Sequence, residues 1–178
     1  MVSPIEEAFD RIIREIYWID SLDEAEERLT GYLEQMDPDL REVLLEERQK
    51  ICEDPDVVIR LIRVEALADS AENRELRDLL LLRSLVEMLF LVQCSPKWAD
   101  MNPREKAHIL APLYKAWHGM RLAAKPLPES VDKIHLSIAY TMAEEAYERA
   151  ERYGLVDDVF GLINRLSEKL LQEYEQGD

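Results

Sequence analysis

The chain marks the starts of its helices with unusual clarity. Ser3-Pro4-Ile5-Glu6 combines a capping hydroxyl, a first-turn proline and a glutamate three residues beyond the cap. Such a box satisfies backbone N–H groups that no helical carbonyl can reach, and the fixed φ of proline suits a first turn. Ser21-Leu22-Asp23-Glu24 and Asn102-Pro103-Arg104-Glu105 repeat this logic, and Asp37-Pro38 and Asp54-Pro55 add two cap-plus-proline starts. Only five glycines punctuate the chain, and its eight prolines fall mostly at segment starts. That is too little turn material for a many-stranded sheet and suits long elements joined briefly.

The apolar spacing agrees with the caps. Ile5, Phe9, Ile12, Ile16 and Ile19 share one helical face, as do Leu22, Ala25, Leu29, Leu33 and Met36. A weaker stripe through Leu40, Val43, Leu44 and Ile51 predicts a helix over about 38–53. Val57 to Val64 is β-branched, yet it runs from a proline cap straight into Glu65-Ala66-Leu67-Ala68, which favours helix. Residues 76–94 are apolar nearly all round, so the central helix is expected near 74–94. Ser95 to Met101 reads as a loop before a helix from Pro103, in which Pro112 should introduce a kink. Lys125-Pro126-Leu127-Pro128 is a break, a long helix follows to Tyr153, and Gly154 closes it as a left-handed cap. Val159, Ile163, Leu166, Leu170 and Tyr174 mark the last helix.

The expected fold is therefore all-α: one domain over residues 1–178, with about eight helices and no strand. Its length suits one core. The stretch from Asp54-Pro55-Asp56-Val57-Val58 through Val64-Glu65-Ala66-Leu67 to Leu82 resembles one HEAT-type helical repeat. No second copy is evident, and such arrays bury their faces on neighbouring copies, so irregular packing and repeat-like packing both stay open.

Charge is uneven. Lys and Arg number 22 against 38 Asp and Glu, a net of −16. Residues 1–56 hold 18 acids and 6 bases, whereas residues 101–135 hold 3 acids and 6 bases. A net acidic chain is a poor neutraliser of phosphates and of anionic membranes, so neither nucleic acid nor membrane is an expected partner. An acidic N-terminal surface can instead steer a basic protein. The first residues lack the cationic start and apolar core of a signal peptide. Cys52 and Cys94 stand alone in the sequence and read as free thiols of a reducing cytoplasm.

The basic segment carries aromatic residues. Trp98, placed in the loop, is expected to be an exposed anchor, with Arg104, Lys106 and Lys115 around it as a partner-binding patch. Trp117 shares a face with Leu110, Leu113 and Met120 and reads as core.

No catalytic motif is legible: there is no phosphate-cradling glycine loop, GxSxG, HExxH or CxxC. Three weaker candidates come from polar residues in apolar places. Glu87 lies four residues from Arg83 amid leucines, which predicts a partly buried ion pair. His135 falls among Val131, Ile138, Met142 and Ala146, with Asp132 one turn before it. If these three carried chemistry, they would do so as acid–base or metal-binding groups of a helical bundle. Glu65, on the apolar face of its helix, is a lesser candidate. Glu105 and His108 have Glu-x-x-His spacing, but Glu105 belongs to a capping box and His108 is expected to face water. Glu24 and Glu27 have the Glu-x-x-Glu spacing of magnesium-binding pyrophosphohydrolases without the matching second helix.

These readings make a helical interaction module the leading expectation: an adaptor, chaperone-like protein or regulator without a cofactor. A helical-bundle enzyme or metal protein is the alternative, and a homo-oligomer stays open.

Overall fold

In the computed structural model, residues 4–35, 46, 49, 50, 52–123 and 133–177 are described. Among them every regular element is helical: α1 (Pro4–Tyr17), α2 (Leu22–Gln35), α3 (Asp56–Ser70), α4 (Arg74–Leu91), a 3-10 turn (Val92–Cys94), α5 (Pro96–Asp100), α6 (Pro103–Ala123), α7 (Lys133–Arg152) and α8 (Leu155–Gln176). The segment expected as a helix over 38–53 lies largely outside the described residues, as does Asp37-Pro38.

Several caps form as their chemistry dictates. Asn102 and Glu105 complete a reciprocal box, with Glu105 N–H donating to Asn102 Oδ1 at 2.9 Å and Asn102 N–H to Glu105 Oε1 at 3.2 Å. Ser21 Oγ accepts from Glu24 N–H, and Asp54 Oδ1 from Asp56 N–H. Gly154 adopts φ 71°, the left-handed region that glycine enters without a Cβ penalty, and lets α8 follow α7 directly.

The centre of the molecule is α6, not the helix near 74–94. From Ile109 to Ala116 every residue of α6 is buried, because α1, α2, α4 and α7 pack around it. By contrast, α4 buries Leu79, Leu82, Val86 and Leu89 while leaving Leu81 exposed and Arg83 in solvent. High apolar content predicted the centre less well than small side chains do. Ala107, Ala111, Ala116 and Gly119 let neighbours approach α6 from several directions.

The α6–α7 seam shows this most clearly. The buried face of α7 is Ala139, Ala143, Ala146 and Ala150, all fully buried. A Cβ on Gly119 would stand 3.2 Å from the His135 carbonyl oxygen and 3.3 Å from the Ala139 Cβ. There is no room for the larger residues of the expected stripe, so the helix is rotated and Ile138 is exposed.

Two further expectations are corrected. Residues 96–100 are helical: Ser95 Oγ accepts from Lys97 N–H, and Pro96 opens the first turn. This short helix is pinned to α8 by Ser95 Oγ–Asp158 Oδ2 at 2.6 Å and by Lys97, whose Nζ donates to the Gly154 carbonyl. Cys52 and Cys94 are joined in a disulfide, with Cα atoms 5.6 Å apart. They are therefore not free thiols. The bond closes a loop around α3 and α4, the pair that resembles a HEAT repeat. Within that pair it is α4 that packs on α6 and α7, whereas α3 packs on α4 and touches α8. No helix among the described residues is long and apolar enough to cross a membrane.

Candidate functional site

The most polar assembly in the fold lies where α2, the first turns of α6 and the end of α7 meet. Arg149 follows Ala146 on α7, and its side chain is only 9% exposed. A guanidinium held that deep needs acceptors for its donors. It donates to Glu26 of α2, to Glu145 Oε1 at 2.9 Å and to the His108 carbonyl at 2.8 Å. Arg149 thus clamps three helices together.

Glu26 is shared. Its second carboxylate oxygen is 3.1 Å from His108 Nδ1. The same Nδ1 lies 3.3 Å from Arg149 Nη1, so the imidazole sits against both members of the ion pair. The His108 ring also meets Tyr153 edge-on, with centroids 6.3 Å apart. His108 was expected in water. It is half-buried at the edge of the seam, where Glu26 and Arg149 both reach its Nδ1.

Beside this clamp lies an open hollow of about 540 Å³. Four of its lining residues are carboxylates, Asp23, Glu26, Glu27 and Glu105, facing Arg104 and His108. Asp23 and Glu27 are exposed at its rim. The arrangement can hold a cationic group between carboxylates, with the rings of Tyr153 and His108 nearby.

The candidate residues read from the sequence scatter. Arg104 does line the hollow. Trp98 is 2% exposed and forms part of the core, so it is no surface anchor. The capped turn of α5 swings it inward, and Lys106 covers its ring with Nζ 5.9 Å from the centroid. Lys115 is also buried, donating to the Ile19 carbonyl and so tying α6 to the α1–α2 turn. Burial lowers its pKa, against the opposing pull of Asp20.

Glu87 pairs with Arg83 at 3.4 Å as their spacing predicted, but Arg83 is exposed, so the pair lies at the surface and not partly buried among leucines. His135 is half-buried and shares a hydrogen bond with the Tyr17 hydroxyl through Nδ1. Asp132 lies outside the described residues. Glu65 is exposed, since α3 turns Val64 and Ala68 inward instead. The structure does not bring Glu87 and His135 into one site, and among the described residues no group of three or more His, Cys, Asp or Glu could hold a metal ion.

A second histidine is more deeply placed. His118 is 9% exposed and meets Tyr17 edge-on at 4.6 Å. Burial lowers its pKa, and the charges of Arg121 and Arg14 push the same way against Asp10. The folded protein therefore prefers the neutral ring. The unfolded chain binds the proton near the ordinary pKa of about 6.5, so stability is complete above that pH and falls below it. Melting temperatures between pH 7.5 and pH 5 are expected to drop more steeply for the wild type than for His118→Gln. Parallel slopes would rule out this histidine as a source of acid sensitivity.

A larger groove, of about 700 Å³, lies between α4 and α7, with Leu81, Leu85, Leu136 and Tyr140 in its lining. Lys133 and Glu75 in that lining form an ion pair at 3.2 Å, so the groove carries no one-signed charge.

No protein-family model, curated protein or solved structure matches the chain, so its fold and its polar clamp are read from its own geometry.

Proposed function

We propose that the chain is a non-enzymatic interaction module, an adaptor, chaperone-like protein or regulator, that takes a basic segment of another protein on its acidic N-terminal face. The observation that carries this reading is the hollow beside α2, where four carboxylates face one arginine and one histidine. A lysine or arginine side chain would find opposite charge there. The net charge of −16 would speed the encounter at low salt. The same charge argues against direct contact with nucleic acid or anionic membrane. A cytoplasmic setting, read from composition, fits the disulfide poorly, because cytosolic thiols are kept reduced; a compartment that oxidises thiols suits the Cys52–Cys94 bond better.

The test uses a fluorescent peptide of arginines spaced by glycine and serine, titrated by anisotropy at low ionic strength. Asp23→Asn/Glu27→Gln is expected to weaken binding roughly fivefold or more, the effect of removing well-placed charges. Glu65→Gln/Asp69→Asn removes the same charge from the exposed outer face of α3 and should change little. Equal losses in the two variants would mean that net charge alone attracts the peptide, and the α2 site would be abandoned.

A further inference from the structure

The last helix carries an apolar strip that is exposed among the described residues. At 100° per residue, Leu155, Val159 and Leu166 share the inward face of α8, and all three are buried. Displaced from it by about a quarter turn run Phe160, Leu171 and Tyr174. They are 47%, 62% and 78% exposed. From Phe160 to Tyr174 the strip extends about 21 Å at the helical rise of 1.5 Å per residue. Large side chains lined up this way on one helix are the pattern by which helices seat against partner helices.

Charge decides what kind of partner fits. Along the outer edge of the strip lie Asp157, Glu168 and Glu175, all exposed. Arg165 and Lys169, the basic residues of α8, fall opposite the strip at 100° per residue, with Arg165 one turn before Glu168, so that Asp157 and Glu175 are the edge acids with no basic residue of α8 beside them. A second copy of this chain docked antiparallel would bring acidic edge against acidic edge, and in either orientation both molecules carry a net charge of −16.

We propose that the outer strip of α8 is a docking surface for a basic amphipathic helix of another protein. The inference rests on the reading of the chain as a protein-binding module, but on a different surface from the hollow beside α2. Phe160, Leu171 and Tyr174 receive the apolar face of the incoming helix. Asp157, Glu168 and Glu175 meet its flanking lysines or arginines, as edge charges do in coiled coils.

The probe is a synthetic peptide of roughly 20 residues, long enough to match the strip, with leucines at heptad spacing and lysines along one flank. A scrambled peptide of the same composition is the control, and anisotropy reads the affinity. The patterned peptide should bind the full chain at least roughly tenfold more tightly than the scrambled one. Leu171→Ala/Tyr174→Ala should remove most of that difference. Glu168→Gln/Glu175→Gln should weaken binding and flatten its dependence on salt. These residues are exposed, so circular dichroism should show unchanged helicity in each variant.

Equal affinity for the two peptides, or indifference to Leu171→Ala/Tyr174→Ala, overturns the proposal. So does light scattering that shows a dimer lost on Leu171→Asp, which would assign the strip to a second copy. Asp23→Asn/Glu27→Gln should leave patterned-peptide binding intact. A failure of the α2 site therefore stays separate from a failure here.

Discussion

Reducing the Cys52–Cys94 disulfide should lower the stability of the folded chain by about 4 kcal/mol. The two cysteines are 42 residues apart in sequence. Tying such a loop removes conformations from the unfolded ensemble, and the chain-entropy relation gives about that figure. For a chain of this size it corresponds to a fall in Tm of roughly 8–16 °C. The loss should be felt first in α3, whose buried residues Val57, Val58, Leu61 and Val64 all lie inside the closed loop. Thermal unfolding with and without a dithiol, beside Cys52→Ser/Cys94→Ser, tests this directly. The double variant should melt where the reduced wild type melts and ignore the reductant. A shift below about 2 °C would mean that α3 holds its place through packing alone.

Arg149→Met should be nearly as damaging, at about 3 kcal/mol. Methionine keeps much of the stem volume, so the principal loss is the charge and its donors. Glu26, with a side chain 19% exposed, would keep its carboxylate without the guanidinium, and the His108 carbonyl would lose its donor. Breaking one partner out of a buried pair costs far more than the pair itself contributes, because the remaining charge stays desolvated. Adding Glu26→Gln should therefore recover part of the loss, making the double variant less destabilised than the sum of the singles. Urea denaturation of the four proteins measures the coupling. A loss under about 1 kcal/mol for Arg149→Met would place the clamp among ordinary surface ion pairs.

How much of this was legible in the sequence depends on the kind of interaction involved. Local chemistry could be read well. The box at Asn102 and Glu105, the cap at Asp54 and the left-handed Gly154 were all predicted, because each involves residues a few positions apart. The helix at Ser95-Pro96 carries the same start signal as Ser3-Pro4, yet five residues offer too little periodicity to set it apart from a loop. Trp98 was misplaced as a consequence. The central helix was misjudged because hydrophobicity was weighed above size, whereas close packing around α6 depends on alanine and glycine.

The polar clamp was the least legible part. Glu26 and Arg149 are 123 positions apart, and nothing local distinguishes Glu26 from Glu24 or Glu27. One signal was available: Arg149 lies between Ala146 and Ala150 on a helix whose alanines recur at helical spacing, where a guanidinium must find partners. The disulfide could not be inferred from two isolated cysteines 42 residues apart: only one pairing is possible, but whether the fold brings them within bonding distance is not local information.

The central place of α6 also bears on how the chain is made. α1 and α2 pack chiefly on α6, which ends at Ala123, whereas α2 ends at Gln35. At synthesis rates of 5–20 residues per second, roughly 5–20 s separate those two points. During that interval the newly made N-terminal helices have no α6 against which to bury Ile16 and Leu29. The net negative charge of this segment, 18 acids against 6 bases over residues 1–56, disfavours association between incomplete, partly apolar chains in that interval.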